Sequence, residues 1–161
     1  MEEKKPAERW EALVRSSPLH GVQPDQAWSL LGDFCGLQKF YPALTTSHLI
    51  DGVNGEPGCV RYCSTASLNN GTGHSVWVKE RLLDVDAAGR SYTYDIVESN
   101  AGFGEYVATL RVVPVGGDGC GIEWSFEAEP VEGWTRSALV SYMEGAAEEV
   151  ARMVGDALRA K

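Results

Sequence analysis

Short stretches of alternating apolar and polar residues fill the middle of this chain, and one long stretch of helical periodicity closes it. Alternation with a period of two puts every second side chain on the same face of a strand. Runs rich in Val, Tyr, Trp and Thr between turn-forming residues therefore read as β-strands. Residues 60–65, 75–84, 91–98, 106–115 and 122–128 fit this pattern, with 9–15 and 48–51 as weaker candidates. The breaks between them are rich in Gly, Asn, Asp and Pro, as at residues 51–58, 69–73, 100–104 and 116–121. Successive strands joined by links this short pair as an antiparallel meander.

Two regions follow a different period. Over residues 22–34, Pro24 suits the first turn of a helix, and Ala27, Leu31 and Phe34 recur on one face. A second short helix is expected over 37–41, stopped by Pro42. Over residues 135–158, Leu139, Tyr142, Ala146, Val150, Met153 and Ala157 form one stripe, with Glu144, Glu148, Glu149 and Arg152 largely off it. A helix of this kind buries its stripe only against another element, so it must lie on the sheet. The expected fold is α+β: a curved seven-stranded antiparallel sheet wrapped round a long C-terminal helix, with two short helices between strands 1 and 2. A sheet gripping a helix in this way encloses a volume that side chains only partly fill, which makes a ligand cavity the default reading.

With 161 residues and 43% hydrophobic content, one domain is expected over residues 9–161, after a charged, flexible N-terminus at 1–8. The 23 acidic and 14 basic side chains leave a net charge of −9, which argues against a nucleic-acid partner and against an anionic membrane surface. No apolar run approaches the ~18 residues of a membrane span, and no apolar segment follows the charged start, so a cytoplasmic protein is expected. Cys35, Cys59, Cys63 and Cys120 form no CxxC pair and no metal spacing with His20, His48 or His74. On one strand Cys59 and Cys63 would stand about 13 Å apart at ~3.3 Å per residue, too far for a disulfide. Reduced thiols, no metal site and no cofactor are the expectation. The Asn70-Gly71-Thr72 sequon reads as a chance match.

Strand parity sorts the candidate chemistry. Ile122, Trp124 and Phe126 share one face of the last strand, as do Tyr106, Ala108, Leu110 and Val112 on the strand before it, and Tyr92, Tyr94 and Ile96 on the one before that. These apolar and aromatic sets must face the helix. Val76, Val78, Glu80 and Leu82 then point inward and leave Lys79 and Arg81 outside. Arg61 shares its parity with Cys59 and Cys63, which turns it inward on an otherwise ambiguous strand. A guanidinium and a carboxylate thus converge on a pocket lined by Val78, Tyr94, Leu110, Trp124 and Phe126. A buried charge is expensive unless paired. Arg61 and Glu80 read either as a structural ion pair or as an acid–base site in a dry cavity. Phe103, flanked by Gly102 and Gly104, reads as a plug at the cavity mouth or as local packing, and His74 as a rim residue.

The element order matches the helix-grip fold of the START-like, birch-allergen-like superfamily, which includes polyketide cyclase/dehydrase-like proteins. More narrowly, the chain resembles plant lachrymatory factor synthases and their homologues. The matching stretches are Pro24-Asp-Gln-Ala-Trp28, Gly58-Cys-Val-Arg-Tyr62, Trp77-Val-Lys-Glu80, Ser91-Tyr-Thr-Tyr94, Glu105-Tyr-Val-Ala-Thr109 and Trp124-Ser-Phe126. Glu132-Gly133 before the last helix fits as well, and the similarity runs from about Trp10 to the C-terminus. The resemblance implies a cofactor-free, isomerase-like enzyme with Arg61 and Glu80 as its catalytic pair and Tyr106 in the same pocket. The implied reaction moves a proton from the hydroxyl of an unsaturated sulfenic acid to its distal carbon, giving a thial S-oxide. One group must both accept and donate that proton, which Glu80 can do, and a fixed cation must stand near the oxygen that gains charge, which Arg61 can supply. The partners implied are a small hydrophobic or amphipathic metabolite and an upstream enzyme that supplies it. The same fold also serves carriers of hydrophobic metabolites and cyclases of specialised metabolism. It serves hormone receptors of the abscisic-acid type too, but their gate and latch motifs are absent from residues 66–71 and 102–106.

Overall fold

The computed structural model describes residues 8–65 and 75–160. Expectations that fall on 1–7 and 66–74 (the flexible start, His74, the receptor-gate position and the sequon) lie outside the described residues. The order of elements is β1 (Trp10–Arg15), β2 (Leu19–His20), α1 (Pro24–Leu31), a 3₁₀ helix (Phe34–Lys39), β3 (Leu44–Asp51), β4 (Val60–Thr65), β5 (Trp77–Asp86), β6 (Ser91–Ser99), β7 (Tyr106–Val115), β8 (Gly119–Ala128) and α2 (Arg136–Arg159).

All pairings are antiparallel, in the order β1-β8-β7-β6-β5-β4-β3, with β2 also on β8. Strands β3 to β8 form the expected meander, and the first strand closes against the last, with Trp10 opposite Ala128 and Val14 opposite Trp124. This is the helix-grip fold, with eight strands among the described residues where seven are expected. The addition is β2, whose Leu19 and His20 pair with Cys120 and Gly119. A two-residue strand carries no alternation to read, and Gly119 and Gly121 hide the start of β8 in the same way. The two short helices accordingly lie between β2 and β3. β3 begins at Leu44, ahead of the expected residue 48, because Thr45, Thr46 and Ser47 offer no apolar alternation.

Two helical expectations are corrected. α1 starts at Pro24 as expected, with the Gln23 N–H donating to the Gln26 side chain at 2.9 Å. It stops at Leu31, however, and Phe34 opens the 3₁₀ helix three residues before the second helix was expected. The spacing that groups Phe34 with Ala27 and Leu31 reflects burial on the same core, not one continuous helix. α2 is capped by Thr135, whose hydroxyl accepts from the Ala138 N–H at 3.1 Å. Its buried face is Leu139, Met143, Ala146, Ala147, Val150, Ala151, Val154 and Gly155, rotated from the expected stripe. Tyr142, Met153 and Ala157 flank this face and are half-buried. Small residues carry the closest approach: a Cβ on Gly155 would stand 3.3 Å from Leu19 Cδ2. Alanines and glycine weigh little in a hydrophobic pattern, so the seam of closest contact is hard to read from sequence.

No helix among the described residues is long and apolar enough to cross a membrane.

Ala147, fully buried on α2, leaves no room for a larger side chain. Ala147→Leu should lower stability by about 1–3 kcal/mol, read as a lower urea midpoint by circular dichroism. An unchanged midpoint would mean that this turn of α2 does not rest on the sheet.

Candidate functional site

Strand register, helix and two loops build one enclosed space. The sheet and α2 surround a cavity of about 500 Å³, walled by strands β4 to β8, by the helix residues Leu139, Tyr142, Met143 and Ala146, and by loops at 100–103 and 132–134. The mouth loops meet at Gly102. Its φ of +79 suits glycine, and a Cβ there would lie 2.9 Å from Glu132 Cβ.

The register of β4 on β5 sets Arg61 directly opposite Glu80. Arg61 has no exposed surface, and Glu80 is 8% exposed. Arg61 Nε donates to Glu80 Oε1 at 2.9 Å, and Nη2 stands 2.8 Å from that same oxygen. Arg61 Nη1 donates to the Phe34 carbonyl. The Cys63 thiol lies 3.7 Å from Glu80 Oε1 and 3.7 Å from Ser47 Oγ. Two side-chain donors, Arg61 Nε and the Cys63 thiol, are therefore within reach of Oε1, and no hydrogen bond to Oε2 is found among the described residues. The guanidinium carbon sits 3.9 Å from the centre of the Phe34 ring and 5.0 Å from that of Tyr94, a stacking that suits arginine over aromatic faces. Nη2 is close enough for an ion pair but out of line for a hydrogen bond, and the Tyr92 hydroxyl beside the guanidinium also has no partner among the described residues.

Burial alone would lower the Arg61 pKa, but the charge of Glu80, helped by Tyr92, Cys63 and Tyr94, more than reverses this and holds it well above the usual arginine value. The guanidinium stays charged at every ordinary pH. Burial, with the Glu80 charge next in size, pushes the Cys63 thiol up to about 12. Burial also raises Tyr94 and Tyr106 well above the usual phenol range, so both keep their protons.

The aromatic wall is fixed by its own contacts. Trp124 Nε1 donates to Tyr94 Oη at 3.0 Å. Because an indole N–H only donates, Tyr94 accepts there, and its own hydrogen is directed elsewhere. Tyr106 stacks on Phe126 with centroids 5.8 Å apart and meets Phe103 edge-on at 5.3 Å. The hydroxyls of Tyr41 and Tyr142 share a hydrogen bond of 2.7 Å.

Arg61, Glu80, Tyr106, Tyr94, Phe103, Trp124 and Val78 all line the cavity. Leu110 and Phe126 do not. Both face inward, as parity requires, but Leu110 is 0% exposed opposite Trp124 in the packed core, and Phe126 is covered by the Tyr106 ring. Parity fixes the face of a strand residue, not the depth at which neighbouring side chains fill the space. Sequence reasoning missed Tyr41, Trp134 and Met143 as wall residues and read Tyr142 and Cys63 as core. Tyr41 and Trp134 lie outside the α-helices and strands, where no periodicity reports a facing. Among the described residues, no group of three or more His, Cys, Asp or Glu side chains is arranged to hold a metal ion.

Residues 13–159 match the family model described as "Polyketide cyclase / dehydrase and lipid transport". Among solved structures, ginseng major latex-like protein 151 from Panax ginseng is similar at 18% identity, over 92% of this chain and 96% of that one, with a TM-score of 0.71. XoxI from Bacillus cereus is similar at 23% identity, over 92% and 94%, with a TM-score of 0.68. An uncharacterised protein from Bacillus thuringiensis is similar at 22% identity, over 93% and 98%, with a TM-score of 0.67. At these identities the likeness speaks for the fold alone.

The raised cavity pKa values fix the sign of an alkaline effect. A thiol pushed up to about 12 in the folded protein, well above the ordinary value of a cysteine, binds its proton more tightly than in the unfolded chain. Its contribution to stability is complete below pH ~9 and is lost as pH rises toward ~12, with a slope of up to ~1.4 kcal/mol per pH unit for each such group. The phenols act in the same direction at higher pH. Urea midpoints measured from pH ~7 to ~11 should fall above pH ~9, less steeply in Cys63→Ala. A flat profile would place these groups in open contact with water.

Proposed function

The chain belongs to the polyketide cyclase / dehydrase and lipid transport family, and within it we propose that it is an acid–base enzyme needing no cofactor, with Glu80 moving a proton inside a small unsaturated metabolite. The observation that carries this is the asymmetry of the Glu80 carboxylate in the wall of an apolar chamber: Arg61 and Cys63 both engage Oε1, and no hydrogen bond to Oε2 is found among the described residues. A carboxylate held in one orientation by donors on one oxygen is ready to exchange a proton at the other. Arg61 acts through Glu80 as a positioning residue, since its donors turn to Oε1 and to the Phe34 carbonyl.

The proposed chemistry is an isomerisation of the lachrymatory factor synthase type. Glu80 Oε2 accepts the proton of an S–O–H group. The electrons left on oxygen close an S=O bond, a lone pair of sulfur closes the C=S bond, and the displaced electron pair of the C=C bond takes the proton back from Glu80 at the distal carbon. One O–H bond is lost and one C–H bond is gained, so substrate and product have the same composition. Tyr94 and Tyr106, which keep their protons, stand as donors to the oxygen that carries charge during the shift. Apolar walls keep water from the reactive intermediate. Cyclisation of a related metabolite would use the same proton exchange.

A carrier is the second reading, supported by the lipid-transport part of the family description. A carrier needs the apolar walls but not a charged pair inside them, and burying an ion pair rarely adds stability over apolar residues of the same volume.

Glu80→Gln separates the two. It keeps the side-chain size and a hydrogen-bonding oxygen for Arg61 but cannot exchange a proton. Turnover of an alkenyl sulfenic acid long enough to span the cavity, generated in the assay, should fall about 100-fold or more, with a far smaller change in ligand affinity. Arg61 loses its counter-charge, so the melting temperature falls under either reading, and the rate must be taken on protein shown to be folded. Full activity in the folded variant would overturn the proton shuttle. Binding without turnover in the unaltered protein would favour the carrier.

A further inference from the structure

We infer that the cavity selects uncharged molecules of a dozen or more non-hydrogen atoms and turns away organic anions. This rests on the reading above only in taking the cavity as the place where the ligand sits.

Size comes first. A volume of about 500 Å³ equals roughly 17 water molecules at ~30 Å³ each. A sulfenic acid with a three-carbon chain, five non-hydrogen atoms in all, would fill less than a third of it and leave most of the aromatic wall without contact. A ligand that touches both Glu80 and the mouth needs a longer or ring-bearing body.

Charge comes second. Among the described residues the cavity wall carries three ionisable groups of full charge: Arg61, Glu80 and Glu132. Arg61 is the single cation among them, and its charge is already met: it has no exposed surface, two of its nitrogens lie within 2.9 Å of Glu80 Oε1, and a third donates to the Phe34 carbonyl. Glu132 is exposed at the mouth, beside Gly102 and Trp134. An anion entering would pass one carboxylate and meet a second in the wall. The protein's net charge of −9 acts in the same direction from outside. What the wall offers instead is aromatic surface and phenol hydroxyls, which suit neutral rings and neutral oxygens.

Two dyes with the same ring system test this directly: phenylnaphthylamine, which is neutral, and its sulfonated counterpart anilinonaphthalenesulfonate. Each is titrated into the full chain and followed by its fluorescence. The neutral dye should bind at least about tenfold more tightly. Glu80→Gln, which leaves the Arg61 charge uncompensated, should narrow that gap about tenfold by strengthening sulfonate binding alone. Glu132→Gln, a change at the exposed mouth that keeps the core intact, should narrow it by about two- to threefold at low salt, and less at high salt.

Equal affinity for both dyes, or a preference unmoved by removing either carboxylate, would overturn the inference. The outcome is separable from the catalytic reading. Equal dye binding with turnover lost in Glu80→Gln would defeat the selectivity and leave the proton shuttle standing. A strong neutral preference with turnover intact in that variant would do the reverse.

Discussion

A guanidinium shut away from water has to be neutralised where it lies, and in this protein that requirement organises everything near the cavity. Arg61 is the largest fully buried side chain in the fold. Its charge is met by Glu80 across the β4–β5 pair, its Nη1 by the Phe34 carbonyl at the start of the 3₁₀ helix, and its flat face by the Phe34 ring. One side chain thus ties two strands to the segment that crosses from α1 to β3. Removing either charge would strand the other at low dielectric, where the cost exceeds most other single changes in a core. The same pairing makes the carboxylate lopsided, with its side-chain donors gathered on one oxygen.

The cavity follows from the architecture that surrounds this pair. α2 approaches closest through Ala147, Ala151 and Gly155 at its C-terminal half, where the core is packed solid. Its first two turns carry Leu139, Tyr142 and Met143 instead, which stand off the sheet and roof the empty volume. Side-chain size along one helix therefore decides which end of the protein is core and which end is chamber. One frame can serve different uses when the residues of its chamber change, which suits a family description that spans cyclases, dehydrases and lipid transport.

Much of this was legible in the sequence, for physical reasons that also mark where legibility stopped. Two-residue periodicity found strands β4 to β8, and it assigned Glu80, Tyr94 and Trp124 to the inner face, because a strand residue has only two directions in which to point. The inward turn of Arg61 came from its sharing the parity of Cys59 and Cys63, on a strand whose two faces the pattern otherwise leaves ambiguous. The misreadings share one origin. Leu110 and Phe126 face the right way but lie too deep, and the stripe on α2 was rotated because alanines and glycine are nearly silent in a hydrophobic pattern. Tyr41 and Trp134 reach the wall from connecting segments, where direction depends on tertiary packing.

The pairing of β1 with β8 has a consequence for the order of folding. Trp10 meets Ala128, and Val14 meets Trp124, across more than a hundred intervening residues. Strands β3 to β8 can zip together as neighbours while the chain is still being made, but that sheet stays open on its last strand, and its aromatic inner face stays bare until α2 arrives. Loop closure over such a separation is slow compared with local pairing. A growing chain would therefore carry an unroofed apolar trough from the making of β6 until α2 has followed β8, the period in which association with other chains competes with folding.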